Sequence, residues 1–234
     1  VNGADGTSHA RTEDHGAYAA LGRAGLDRSG QAEAFDAIGD RYDEAFPHKE
    51  GQIAAGVWLA EQLPAGARVL DLACGTGTPT ARQLTESGLK VTGVDLSPGM
   101  VELARENVPE ADFRTLDIAD VESAGLGPFD GAAAFFALLM LPRAEIPVAL
   151  RMLHGLLRPG APLVLSMVEA DVDDFSIPFL GNTIRVSGYL REDLHRVVTD
   201  AGFEIAGEDS YAYAPATTDV PPEIQIFLHC RKRS

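Results

Sequence analysis

The sequence predicts an α/β fold: a seven-stranded, mostly parallel sheet with an antiparallel last strand, helices on both faces and a helical cap on the N-terminal side. Three observations carry this. From residue 68 onward, short apolar runs alternate with amphipathic helical stretches, the pattern of parallel strands joined by crossover helices. The first run exits into a glycine turn, Gly75-Thr76-Gly77, and the second closes on an acid, Asp95. The last two runs, 203–211 and 223–230, have no helix between them and read as a hairpin, which reverses the final strand.

Taken in order, residues 1–30 read as a polar, Gly- and Ala-rich tail with a short helix. Phe35, Ile38, Tyr42 and Phe46 then fall at helical spacing, and Pro47 closes that run. A second helix shows Ile53, Val57, Leu59, Ala60 and Leu63 on its apolar side and ends before Pro64. Strands follow at 68–73, 90–95, 113–116, 131–136 and 162–168. Helices are expected at 79–87, from the Ser97-Pro98 cap to Glu106, at 145–157 and at 191–201, each stopped by glycine or a Pro-Gly turn except the second. The segment 169–189 is too long for a plain connection and reads as a functional loop. The division is therefore a tail (1–30) and one domain (31–234), with a cap at 31–64 and a substrate loop at 169–189.

Composition narrows the function. A chain of 234 residues, 45% hydrophobic and 23% charged, supports one globular core. Its formal charge of −16 repels phosphate backbones and anionic lipid, so neither nucleic acid nor a membrane is an expected partner. Two distant cysteines, Cys74 and Cys230, make no disulfide framework or structural zinc site. No apolar run approaches membrane-spanning length and residues 1–30 lack a basic-then-apolar leader, so a cytoplasmic chain, monomeric or homodimeric, is expected.

Ligands of open parallel sheets bind beyond the carboxyl ends of the strands, where strand order reverses. There the first strand reads Val69-Leu-Asp71-Leu-Ala-Cys-Gly75-Thr-Gly77-Thr-Pro79, with glycines that let backbone approach a ligand. Asp95 is placed to accept from a ribose diol, so the pocket suits a nucleoside. A dinucleotide fingerprint needs a third glycine where Thr80 stands, and Asp71 suits a cationic amine better than a pyrophosphate.

At these residues the sequence resembles the class I S-adenosylmethionine-dependent methyltransferases, of the small-molecule, bacterial secondary-metabolite type. The stretch VLDLACGTGTPTARQLTESGLKVTGVDLSPGMVELAREN (69–107) is similar to that family's first two motifs. The likeness continues through Asp117-Ile118, Phe129-Asp130, the LLRPG turn at 156–160 and the AGF at 201–203. Ala73 stands where the family often has glycine. The resemblance implies a Rossmann-like sheet and S-adenosyl-L-methionine as cofactor, with S-adenosyl-L-homocysteine as product. It further implies that Gly75 and Gly77, beside Ala73, line the methionine and ribose portion and that Asp71 holds the amino group. Asp95 would take the ribose hydroxyls, Leu96 and Met100 would cover the adenine, Asp117 would accept from its amino group, and the Ile118 amide would donate to its ring. Ala134 and Phe135 would meet the methionine end, and Tyr42 would close over the cofactor.

The expected reaction is methyl transfer to oxygen or nitrogen of a small, hydrophobic or aromatic, natural-product-like acceptor. Phe136, Phe175, Phe179 and Tyr189 are expected to line its pocket. Orientation and desolvation carry the reaction, with a base needed only for poor nucleophiles. His48, beside the closing segment, is the one histidine retained as a candidate base; His154 and His195 read as surface or structural. Asp171, Asp173 and Asp174 read as a solvated run or, functionally, as a cation-attracting rim. No metal site is expected, since the fourth strand exits through Ala134-Phe-Phe-Ala137 without an acid. Three rivals stand beside this reading: a cyclase using the cofactor structurally, a nicotinamide oxidoreductase and a protein-binding module.

Overall fold

The computed structural model describes residues 28–214 and 222–233. Of the tail expected over residues 1–30, residues 1–27 lie outside the described residues, and Ser29 and Gly30 already belong to the first helix. Three helices lead: α1 (Ser29–Ile38), α2 (Arg41–Ala45) and α3 (Glu50–Glu61). Then come β1 (Arg68–Leu72), α4 (Thr80–Glu86), β2 (Lys90–Asp95), α5 (Pro98–Asn107), β3 (Asp112–Thr115), β4 (Gly131–Phe135), α6 (Ile146–Leu156) and β5 (Pro162–Val168). A hairpin of β6 (Val172–Phe179) and β7 (Asn182–Gly188) precedes α7 (Arg191–Asp200), β8 (Phe203–Tyr213) and β9 (Glu223–Lys232).

Seven strands form one sheet in the order β3-β2-β1-β4-β5-β9-β8, with β9 antiparallel to both neighbours, as expected. The chain moves outward from β1 to β3 and then returns to β4 on the other side of β1. The order reverses there, and the crevice between the ends of β1 and β4 is the place where such sheets bind ligands.

Period-two alternation divides the core between the two faces of the sheet. Leu70, Ala132 and Leu163 pack against α6 and α7 through Leu150, Leu153 and Leu194. Val69, Ala133 and Val164 pack the opposite face against Leu59, Leu84 and Val101 of α3, α4 and α5. Because strands β1, β4 and β5 are covered on both faces, they read as continuous apolar runs rather than alternating ones.

Three expectations change. The helix expected from 31 to 46 breaks at Gly39, whose φ of 52° ends α1 before α2 begins. The apolar face assigned to the second helix is also different: Ile53 and Val57 are exposed, whereas Gly51, Ala55, Gly56 and Leu59 are buried. A Cβ on Gly51 would lie 2.5 Å from the Phe227 ring, so close packing of small residues holds α3 to the sheet. Third, 169–189 is mostly a β-hairpin. Its two-residue turn, Leu180-Gly181, has φ of 49° and 80°, positive at both positions as a type I′ turn requires. Phe179, Leu180 and Ile184 pack this hairpin onto Ala34, Ile38 and Ala45 of the cap.

Candidate functional site

Backbone geometry shapes the crevice at the end of β1. Ala73 has φ of 56°, a left-handed conformation that costs a residue with a Cβ more than it costs glycine. Gly75, at φ 53°, has open space where a Cβ would point, and it borders the crevice. Gly77 serves packing: a Cβ there would meet Ala104, Phe113 and Val108 at 3.3 Å, and it does not border the crevice.

Two acids sit at the strand ends. Asp95 Oδ2 accepts from the Gly75 amide at 2.9 Å and Oδ1 from the Ser97 amide at 2.9 Å. Burial pushes its carboxyl up, against the pull of the Ser97 and Gly75 N–H groups. Asp71 is 2% exposed, and its buried Oδ2 has no hydrogen-bond partner. Burial first, and the charge of Asp95 second, raise it to about 8. The same burial pushes the Cys74 thiol well up, so Cys74 is an inert wall residue rather than a nucleophile.

The cap closes over this loop through polar ties. Thr76 Oγ1 donates to Asp43 Oδ2 at 2.7 Å and Thr78 Oγ1 to the same oxygen at 3.2 Å, while Lys49 pairs with Oδ1. Gln52 Nε2 donates to Thr80 Oγ1 at 2.8 Å, and the Gly99 amide donates to Asp36 at 2.9 Å. Asp117 caps the short helix 118–120 through the Ala119 amide at 2.8 Å, and it also takes a hydrogen bond from Arg28. The second Arg28 nitrogen pairs with buried Glu145.

The result is two adjoining cavities. The inner one, about 130 Å³, brings together Tyr42, Ala73, Gly75, Asp95, Leu96, Met100, Asp117, Ile118 and Phe135 of the expected set, with Arg28 at one end. Asp71, Gly77 and Ala134 lie behind its wall. The outer cavity, about 730 Å³, is walled largely by apolar groups, among them Phe136, Phe175, Phe179, Met140 and Val186. Tyr42, Lys49, Gln52, Phe136 and Met140 border both, so the two meet there. The size and lining suit a drug-sized organic molecule.

Some expected residues do other work. Tyr189 does not line the outer cavity; it is buried under Arg143, whose guanidinium lies 4.7 Å from its ring, and its hydroxyl donates to the Arg143 carbonyl. His48 is at the rim with its side chain 72% exposed and Nδ1 3.3 Å from Glu50, too solvated to be held against a reacting atom. The acids after β5 are tied down: Asp171 and Asp173 hold Arg143, and Asp174 holds Arg185. They brace the hairpin rather than present a free acidic rim. Among the described residues no cluster of three His, Cys, Asp or Glu side chains is arranged to hold a metal, and no helix is long and apolar enough to cross a membrane.

Sequence reading missed Arg28, Asp43 and Glu145. Asp43 had a signal, since it follows Tyr42 directly; Arg28 and Glu145 meet only through the fold.

Comparison with known proteins gives the same outline. Residues 69–160 match a family model described as a methyltransferase domain. The chain is similar to the ubiquinone biosynthesis O-methyltransferase of Xanthomonas axonopodis pv. citri (strain 306), 34% identical over 123 residues, covering 50% of each chain. It thus spans about half the length of the curated relatives it matches. Its fold is like that of the Burkholderia thailandensis 1,6-didemethyltoxoflavin-N1-methyltransferase, solved with its substrate and S-adenosylhomocysteine: TM-score 0.65, 22% identity, covering 99% of this chain and 94% of that one. It is also like the [4+2]-cyclase SpnF: TM-score 0.60, 21% identity, covering 77% and 80%.

Proposed function

We propose, on the premise that this chain carries a class I S-adenosylmethionine-dependent methyltransferase domain, that it methylates an oxygen or nitrogen of a small hydrophobic or aromatic acceptor. Asp95 at the end of β2, which borders the inner cavity beside Gly75, is the observation that carries this reading. Asp95, oriented by two backbone N–H groups, keeps lone pairs for a ribose diol. The residues therefore fit S-adenosylmethionine by donor and acceptor type. Met100, Leu96 and Ile118 would flank its adenine, and Tyr42 and Phe136 would stand at the junction with the acceptor.

Bound S-adenosylmethionine supplies a methyl group on a positively charged sulfur, which keeps the bonding electron pair on leaving. The chain's own task is to orient an acceptor from the outer cavity and exclude water from the junction. The apolar lining of that cavity supports a hydrophobic acceptor. The curated relative's name supports an oxygen acceptor.

The test is incubation with methyl-labelled S-adenosylmethionine and a panel of phenols and aromatic amines. Label recovered in an acceptor supports the proposal. An acceptor changed in structure while S-adenosylmethionine stays intact contradicts it and favours cyclisation.

A further inference from the structure

The largely apolar wall of the outer cavity carries a polar cluster whose chemistry the proposed function has not used. Tyr213 and Glu223 face each other across the β8–β9 ladder, and Gln225 lies two residues on, on the same face of β9. Gln225 Nε2 donates to Glu223 Oε1 at 2.7 Å, which fixes the carboxylate and commits one oxygen. All three line the outer cavity. The Tyr213 hydroxyl is buried in the same wall, beside the backbone of His48. Tyr42, which borders both cavities, is within electrostatic reach of Glu223 on one side and Asp95 on the other, so this wall adjoins the junction.

We propose that Glu223 is the acceptor's general base and that the acceptor atom is a hydroxyl oxygen. This rests on reading the outer cavity as the acceptor site of a methyltransferase. A neutral hydroxyl is a poor nucleophile and gains from a base, whereas a carboxylate beside an amine holds it in the unreactive ammonium form. The acceptor O–H bond breaks, the proton ends on the free Oε2 of Glu223, and the electron pair stays on oxygen to form the bond to carbon. Burial strengthens the base, since it raises Glu223 above the usual carboxylate range, against the pull of Gln225. The titratable groups facing this pocket are Tyr42 from α2, His48 and Lys49 from the loop after it, Tyr213 from β8 and Glu169 after β5, and the charge of Glu50 in α3 acts on Tyr213 from outside it.

The probe is 4-nitrophenol, whose phenolate absorbs in the visible, titrated with pH on the full chain saturated with S-adenosylhomocysteine. Beside an ionised Glu223 the bound phenol should ionise about 1 pH unit higher than in Glu223→Gln, as like charges disfavour a second anion. Glu223→Asp should retain part of the shift. Equal S-adenosylhomocysteine affinity in wild type and variants shows that each is folded. Identical probe ionisation in wild type and Glu223→Gln overturns the assignment, and so does failure of the wild-type chain to bind the probe while it binds S-adenosylhomocysteine. Failure to bind S-adenosylhomocysteine at all overturns the methyltransferase reading instead.

Discussion

Arg28 donates a hydrogen bond to Asp117, an acid that lines the inner cavity. Its other terminal nitrogen pairs with Glu145, which is 1% exposed, so a single cation from the start of the cap bridges two acids of the sheet domain. Removing one partner of a buried pair leaves an uncompensated charge. Arg28→Ala should therefore lose about 3 kcal/mol in urea denaturation, and adding Glu145→Gln should restore most of it. A loss unaffected by the second change would mean that Arg28 acts by packing alone.

The tie between Asp43 and the glycine loop makes a separate prediction. Asp43 accepts from Thr76 and Thr78 and pairs with Lys49, so it holds the cap over the inner cavity. Asp43→Ala should weaken S-adenosylhomocysteine binding about tenfold, the worth of one hydrogen bond to a charged group. Calorimetric titration checks it.

Asp71 predicts a pH dependence. Folded, it holds its proton up to about pH 8; unfolded, a carboxyl of this type ionises near about 3.9. Between these values the native state binds the extra proton, so this group's contribution to stability falls as pH rises from about 4 to about 8. Asp71→Asn removes that loss, and its melting temperature should gain on the wild type across this window.

Ala73 gives a test of backbone geometry. At φ 56° a Cβ costs about 1–2 kcal/mol, while glycine costs about 0.5–1 kcal/mol in chain entropy. Ala73→Gly should thus be neutral or stabilising by up to about 1 kcal/mol, and Ala73→Val strongly destabilising. Thermal denaturation separates them.

Most of the sheet was legible because buried parallel strands write themselves as apolar runs, and the motif from Val69 to Asp95 contains its own strand, turn and acid. Elements whose form depends on a few backbone angles were not. Leu180 at a positive φ hid the type I′ turn, since leucine carries no turn signal. The face of α3 was misread because small residues bury it, leaving Ile53 and Val57 outside. At the site, local residues such as Gly75, Asp95 and Met100 were readable from spacing and resemblance. The bridge from Arg28 to Asp117 and Glu145, the seat of Tyr189 under Arg143 and the pairing of Glu223 with Tyr213 depend on elements distant in the chain or on strand register, which spacing does not encode.

The central claim is that Gly75 and Asp95, at the ends of β1 and β2, form part of a site for S-adenosylmethionine. Calorimetric titration with S-adenosylhomocysteine, with NADH as control, tests it most directly. The account predicts binding of the first and none of the second, with Asp95→Ala weakening the affinity by about 1–3 kcal/mol through lost hydrogen bonds. A folded chain that ignores S-adenosylhomocysteine, or an Asp95→Ala variant that binds it as well as the wild type does, would contradict the account.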